Sequence, residues 1–134
     1  MNIELLKQVI DLAAAQAHVW LATADARGRP HVTTAGSLLG AGDGRVILRE
    51  WFCPATLENA GHDRSVSVVV WPGGEAEGFQ LVGRVESTAD HAVLDGFDAS
   101  VEGPSALPQT QRDLTIRVEE ILHFRHGPHT DEPV

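Results

Sequence analysis

The chain has 134 residues, of which 43% are hydrophobic, a size and composition that suit one folded domain with a substantial core. Its formal net charge of −9, from 19 acidic against 10 basic residues, disfavours binding to nucleic acid or to anionic membranes. A single cysteine excludes an internal disulfide, and the lack of a long apolar run or a cleavable leader pattern predicts a cytoplasmic protein without a membrane span.

The first predicted element is an amphipathic helix over residues 3–16, because apolar side chains recur there at helical spacing. The pattern then changes to short β-branched and apolar runs, separated by turns that contain glycine, proline or aspartate. A short helix is predicted over residues 54–63, since Pro54 suits a first helical turn, and a weaker one over residues 89–101. The predicted strands, in chain order, are residues 17–25, 31–39, 45–52, 65–71, 79–88 and 112–125.

Strands that follow one another through short hairpin links, without βαβ alternation, predict a mainly β (α+β) fold. We expect a six-stranded antiparallel barrel, with the N-terminal helix at one end and short peripheral helices outside. Residues 1–134 are expected to form a single domain. Residues 126–134 are polar and are expected to form a flexible tail unless a partner chain orders them.

The stretch WFCPATLEN, residues 51–59, combines aromatic residues, the cysteine and the start of the predicted helix. One interpretation is a nucleophilic Cys53, because a helix N-terminus lowers a thiol pKa, with His62 as a base. The other is an anion site, because unpaired N–H groups at the same helix end bind phosphate and the hydroxyl of Thr56 can assist. Both interpretations remain open at this point.

Three histidines occur close together near the C-terminus, at His123, His126 and His129. Their spacing of three could indicate a metal site, but a strand end does not gather such positions on one side. We therefore predict no metal site and treat this segment as part of the tail, which could instead reach the pocket of a partner chain.

Three segments resemble the pyridoxamine 5′-phosphate oxidase-like FMN-binding split-barrel family. They are VWLATADARGRPHVT, with its apolar strand and Gly-then-Pro turn, TLEN followed by RSVSVVVW, and GFQLVGRVE. Together they cover about residues 5–90. The resemblance implies a six-stranded split barrel and a homodimer with FMN at the subunit interface. By position, Thr56 and Asn59 match the family's threonine and asparagine, whereas Ala55 stands in place of its usual lysine.

An FMN site needs cations or N–H donors for the phosphate, a flat apolar slot for the ring and polar partners for the ring edge. The resemblance assigns the strand after the Gly–Pro turn and the segment after the third strand to this task. Arg49 is the candidate cation in the absence of the lysine, and Trp51, Phe52 or Trp71 could line the slot. The predicted cofactor-binding residues are Thr33, Thr34, Arg49, Trp51, Cys53, Thr56, Asn59 and Gln80.

The predicted function is an FMN-binding oxidoreductase that uses a reduced donor and a small-molecule acceptor, with catalytic residues unassigned. Oxidation of pyridoxamine phosphate itself is not expected, since the chain is shorter and more acidic than such oxidases. The alternatives are a non-catalytic split-barrel binding module, a relative that uses deazaflavin or heme, and a thiol-dependent enzyme built on Cys53.

Overall fold

A computed structural model describes residues 1–16, 18–93 and 110–134. The first helix, α1, spans Ile3–Ala14 and begins after Asn2, whose side chain accepts a hydrogen bond from the Leu5 N–H. Its buried face carries Leu6, Val9 and Ala13. The helix therefore forms as its apolar spacing predicts, although it ends two residues earlier than expected.

The sequence of elements after α1 is mostly strands, with one further helix. The helix α2 spans Pro54–His62. The strands are β1 Val19–Ala24, β2 Pro30–Ala35, β3 Ser37–Gly42, β4 Arg45–Glu50, β5 Ser65–Val70, β6 Gly78–Val93, β7 Thr110–Phe124 and β8 Glu132–Pro133. Neither of the two described helices has the length and apolar character needed to cross a membrane.

The strands form one antiparallel sheet in the order β2-β1-β5-β6-β7-β4-β3, with β8 paired to β7. The two outermost strands, β2 and β3, are consecutive in the chain and separated only by Gly36. Because one residue cannot span a flat seven-strand sheet, the sheet must curve until its two ends meet. This confirms the predicted mainly β split barrel.

The interior of the barrel is filled by alternate residues of each strand, as strand geometry requires. Leu21, Leu48, Leu81 and Leu114 are completely buried. The helix α1 packs against β3 and β5, where Gly40 leaves room for the side chain of Ile10. The helix thereby covers part of the core beside these two strands.

The number of strands differs from the six predicted. The predicted strand 31–39 divides at Gly36, because its first half pairs with β1 and its second half with β4. A further short strand, β8, lies within the segment expected to be a flexible tail. Pro133 pairs with Leu122, and the N–H of Val134 donates to the carbonyl of Ile121 at 3.0 Å.

The predicted helix 89–101 is wrong for residues 89–93, which extend β6. The long strand β7 supplies their hydrogen-bonding partners, and Asp90 opposite Arg112 accepts a bond from its Nε at 3.0 Å. Cross-strand pairing thus overrides a local helical pattern. The remainder of that predicted helix, and the loop predicted over residues 102–109, lie outside the described residues.

Candidate functional site

The pairing of β1 with β2 decides which side chains of the predicted flavin strand face the same way. Thr33 pairs with Leu21 and His31 pairs with Thr23, so His31 and Thr33 share the core-facing side. Thr34 pairs with Trp20 and therefore points to the outer face of the sheet. The two threonines predicted as flavin contacts consequently lie on opposite faces.

The helix α2 starts at the predicted place, with Pro54 in its first turn and Cys53 as its N-cap residue. The Cys53 side chain makes no capping hydrogen bond, so the first-turn N–H groups keep no side-chain cap. Thr56 is fully buried, and Asn59 is 7% exposed. The Asn59 amide donates to the Thr23 hydroxyl at 3.2 Å, which ties α2 to β1.

Three side chains meet where α2 begins, and we call them the Cys53–Thr56–His31 cluster. The Thr56 Oγ1 lies 3.2 Å from His31 Nε2 and 3.3 Å from Cys53 Sγ, and Cys53 Sγ lies 3.9 Å from His31 Nε2. The cluster joins two predicted site residues to His31, which the sequence analysis did not select. Strand alternation from Thr33 could have indicated it, since His31 is two residues earlier on the same face.

The Thr56 hydroxyl is the main reason why the pKa of the Cys53 thiol is lowered. The backbone N–H groups of Thr56 and Ala55 lower this pKa further, while partial burial opposes them. The hydroxyl and these N–H groups therefore converge on a point where negative charge is stabilised. A thiolate can occupy that point, and so can an oxygen atom of a bound anion.

The structure places Arg49 away from this cluster. Its Nε and Nη2 donate to the two carboxylate oxygens of Asp113 at 2.7 and 3.0 Å, and this pairing raises the pKa of the guanidinium. Along β4, Arg49 alternates with the buried Val46 and Leu48, so it points away from the core. Its role in holding a phosphate stays a prediction.

The remaining predicted contacts are also spread out. Gln80 lies on the outer face and donates from Nε2 to Ser67 Oγ at 3.0 Å. Trp51 follows β4 and is 38% exposed, whereas its neighbour Phe52 belongs to the core. Trp71 packs edge-on against Phe124. Of the eight predicted residues, the structure brings Cys53 and Thr56 into contact and places Asn59 one helical turn further on.

The histidine that contacts Cys53 is His31 and not the expected His62. His62 ends α2 and lines a cleft of about 700 Å³ beside the β1–β2 turn, whose wall also includes Ala55 and Asn59.

Within the described ranges 1–16, 18–93 and 110–134, no three His, Cys, Asp or Glu side chains converge to hold a metal ion.

Residues 5–123 match the protein family described as pyridoxamine 5′-phosphate oxidase. The chain belongs to this family. The match covers nearly every element of the barrel, from α1 to the end of β7. No curated protein matches the sequence.

Solved structures related to this family share the fold. A protein of Clostridium acetobutylicum related to general stress protein 26 superposes with a TM-score of 0.63 at 15% identity, covering 94% of this chain and 92% of that one. An FMN-binding protein of Syntrophomonas wolfei gives a TM-score of 0.63 at 16% identity, covering 92% and 88%. A protein named F420 reductase gives a TM-score of 0.55 at 16% identity, covering 78% and 88%.

Proposed function

We propose that this member of the pyridoxamine 5′-phosphate oxidase family is an FMN-binding flavoprotein whose flavin phosphate lies at the N-terminus of α2. The observation that carries the proposal is the uncapped first turn of α2, where Thr56 Oγ1 lies 3.2 Å from His31 Nε2. Helix N-termini favour phosphate because their N–H groups are unpaired and the helix dipole is positive there. The FMN-binding protein of similar fold supports the choice of flavin.

The residues around this point fit a phosphate group. The N–H groups of Ala55 and Thr56 and the Thr56 hydroxyl supply donors. His31 Nε2 is within hydrogen-bonding distance of that hydroxyl, so the imidazole can donate to the same anion and add positive charge when protonated. His31 would thereby compensate for the alanine at position 55. The backbone and hydroxyl contacts alone make the site weaker than one with a lysine.

The outer face of the sheet supports the proposal of a homodimer. One row of cross-strand neighbours runs over five strands through Thr34, Trp20, Val69, Gln80 and Leu122. In the adjacent row the side chain of Val32 is 62% exposed. A mixed apolar and amide face of this kind suits a self-complementary interface. It would bring the predicted contacts Thr34 and Gln80 of one chain towards the partner chain.

The reaction class follows from the cofactor. When bound, FMN accepts a hydride or electrons from a reduced donor and passes them to a small-molecule acceptor. The residues of this chain then have binding and orienting roles, with His31 and Thr56 holding the phosphate. Because the cofactor supplies the chemistry, the site needs hydrogen-bond donors around one helix end and does not need a paired acid and base.

A second candidate, a thiol-dependent enzyme, is favoured by one specific contact. Cys53 Sγ lies 3.9 Å from His31 Nε2, and the pKa of the thiol is lowered. These are the properties of an activated nucleophile beside a base. The two candidates use the same N–H groups, so a bound phosphate and a Cys53 thiolate compete for them.

The visible spectrum of the purified protein tests the proposal. We expect flavin absorbance, about one FMN released by heat per chain, and recovery of the spectrum when FMN is added back. A deazaflavin or a heme would give a different spectrum, and a colourless protein that takes up no FMN would contradict the proposal. Loss of an activity on Cys53→Ser with bound flavin unchanged would support the thiol enzyme instead.

A further inference from the structure

We propose that a second binding site, for a small polyanion, lies between the β1–β2 turn and the C-terminal half of α2. Two adjoining cavities of about 700 and 470 Å³ occur there, and we call them together the turn cleft. Both are lined by Asp25, Ala26 and His62, so they form one continuous depression. Their size suits a small molecule.

The distribution of arginine pairing is the main evidence. The described residues include all nine arginines of the chain, and five of these form ion pairs with carboxylates: Arg29, Arg45, Arg49, Arg112 and Arg117. Three of the other four, Arg27, Arg64 and Arg84, line the turn cleft. In a chain with 19 acidic residues, three neighbouring guanidinium groups without a described carboxylate partner indicate a place for an external anion.

The contacts of these arginines leave their charge uncompensated. Arg64 donates from Nη1 to the carbonyl of Val85 at 3.1 Å, and Arg84 donates from Nη1 to the Ser65 hydroxyl at 3.4 Å. Both acceptors are neutral. The guanidinium of Arg27 has no hydrogen-bond partner among the described residues, and it lines the larger cavity.

The acidic residues of the cleft are mostly engaged. Asp25 accepts hydrogen bonds from the backbone N–H groups of Arg29 and Arg27 at 2.9 and 2.8 Å. These bonds, together with one from the Arg29 side chain, lower the pKa of the Asp25 carboxyl. Asp63 accepts the N–H of Ser65 at 3.0 Å. Glu58 lines the larger cavity, and its carboxylate and that of Asp63 oppose anion binding. With the Arg29–Asp25 pair set aside, the three arginines face two carboxylates, so the cleft keeps a net positive charge.

The chemistry of the cleft defines the class of ligand. Guanidinium groups bind phosphate and carboxylate oxygens in paired geometry, so the ligand is a small molecule that carries two or more such groups. The overall charge of −9 disfavours a long polyanion such as nucleic acid, which would meet repulsion beyond the cleft. The larger cavity shares Ala55 and Asn59 with the proposed flavin site, but Arg27, Arg64 and Arg84, which carry the inference, lie outside the Cys53–Thr56–His31 cluster.

Two-dimensional amide NMR of the full chain, titrated separately with pyrophosphate and succinate at constant ionic strength, tests the inference. We expect saturable shifts at the amides of Ala26, Gly28 and Asp63 with at least one of the two probes, and the probe that saturates identifies the preferred group. Arg27→Gln and Arg84→Gln should each weaken this binding by about fivefold, the effect of one exposed charge. The matched control Arg125→Gln, at an arginine outside the cleft that bonds a carbonyl, should leave it unchanged.

Shifts that fail to saturate with both probes would overturn the inference. The same holds for equal weakening by Arg125→Gln, which would indicate general charge screening. Saturable shifts confined to His31 and Thr56, which do not line the cleft, would place the anion at the proposed flavin-phosphate position and also overturn it. FMN uptake is measured on the same variants, and we expect it to be unchanged, so each proposal can fail without the other.

Discussion

His31 Nε2 lies 3.2 Å from Thr56 Oγ1, although the two residues are 25 positions apart in the chain. The contact joins the strand that follows the Gly-then-Pro turn to the first turn of α2. It therefore places an ionisable side chain beside the helix end at which we propose that the flavin phosphate binds. The proposed flavin site depends on this relationship.

We expect His31→Ala to weaken FMN binding by roughly 1.5–3 kcal/mol, the usual contribution of a hydrogen bond to a charged group. Quenching of FMN fluorescence during titration with protein measures the affinity. The control His62→Ala removes the other histidine near α2, which lines the turn cleft, and should leave the affinity unchanged. If the two substitutions weaken FMN binding equally, His31 does not contact the phosphate.

Arg49→Ala should mainly reduce stability. Its two bonds to Asp113 join β4 to β7, and their loss should lower the unfolding free energy measured in urea. We expect FMN affinity to stay close to that of the wild type. A loss of affinity comparable to that of His31→Ala would instead assign Arg49 to the phosphate, as the sequence analysis first suggested.

Alkylation of Cys53 by iodoacetamide should have a pH midpoint below 9.0, the ordinary pKa of a thiol, because the folded protein stabilises the thiolate. Thr56→Val removes the hydroxyl that is the largest cause of this shift and should move the midpoint upwards. Saturating FMN should do the same if the phosphate takes the N–H groups. If the midpoint is unchanged in the FMN-loaded protein, the phosphate does not bind at this helix end.

The lowered pKa of the Cys53 thiol also predicts how the stability of the fold depends on pH. Because the folded pKa lies below the unfolded one, the thiolate contributes stability fully above about pH 9.0, and this contribution is lost as pH falls through the folded pKa. Urea unfolding of the wild type and Cys53→Ser across this range measures the difference. The unfolding free energy of the wild type minus that of Cys53→Ser should increase as pH rises. A decrease would contradict the prediction.

Val32→Glu should convert the proposed dimer into a monomer, because it places a charge on the outer face at an exposed apolar position. Sedimentation should give twice 14.4 kDa for the wild type and 14.4 kDa for the variant. Ile3→Glu, at a similarly exposed position on α1, is the control and should leave the mass at the dimer value. A wild-type protein that sediments as a monomer contradicts the shared-interface proposal.

Two glycines should respond oppositely to alanine. At Gly83 a Cβ atom would overlap the backbone carbonyl of Arg117, so Gly83→Ala should lower the unfolding free energy by about 3 kcal/mol. At Gly61, within α2, a Cβ atom meets nothing, and Gly61→Ala should raise it by roughly 0.5–1 kcal/mol. Urea midpoints of the two variants check the contrast, and similar shifts would indicate a different packing of β6 on β7.

Much of the fold could be predicted because it depends on local patterns. Helical spacing over α1, strand alternation and a proline at the start of α2 are readable within a few residues. The extension of β6 through residues 89–93 could not be predicted, because its partners lie on β7, 17 to 24 residues later in the chain. The division of a predicted strand at Gly36 likewise reflects which neighbour each half pairs with.

The sequence by itself determined the mainly antiparallel barrel, the family resemblance and the start of α2 at Pro54, because these follow from periodicity and short motifs. Only the tertiary structure decided that His31 joins Cys53 and Thr56 and that Arg49 pairs with Asp113. The same holds for the gathering of Arg27, Arg64 and Arg84 around one cleft. The physical reason is that such contacts depend on strand register and on the curvature of the sheet, which join residues far apart in the chain.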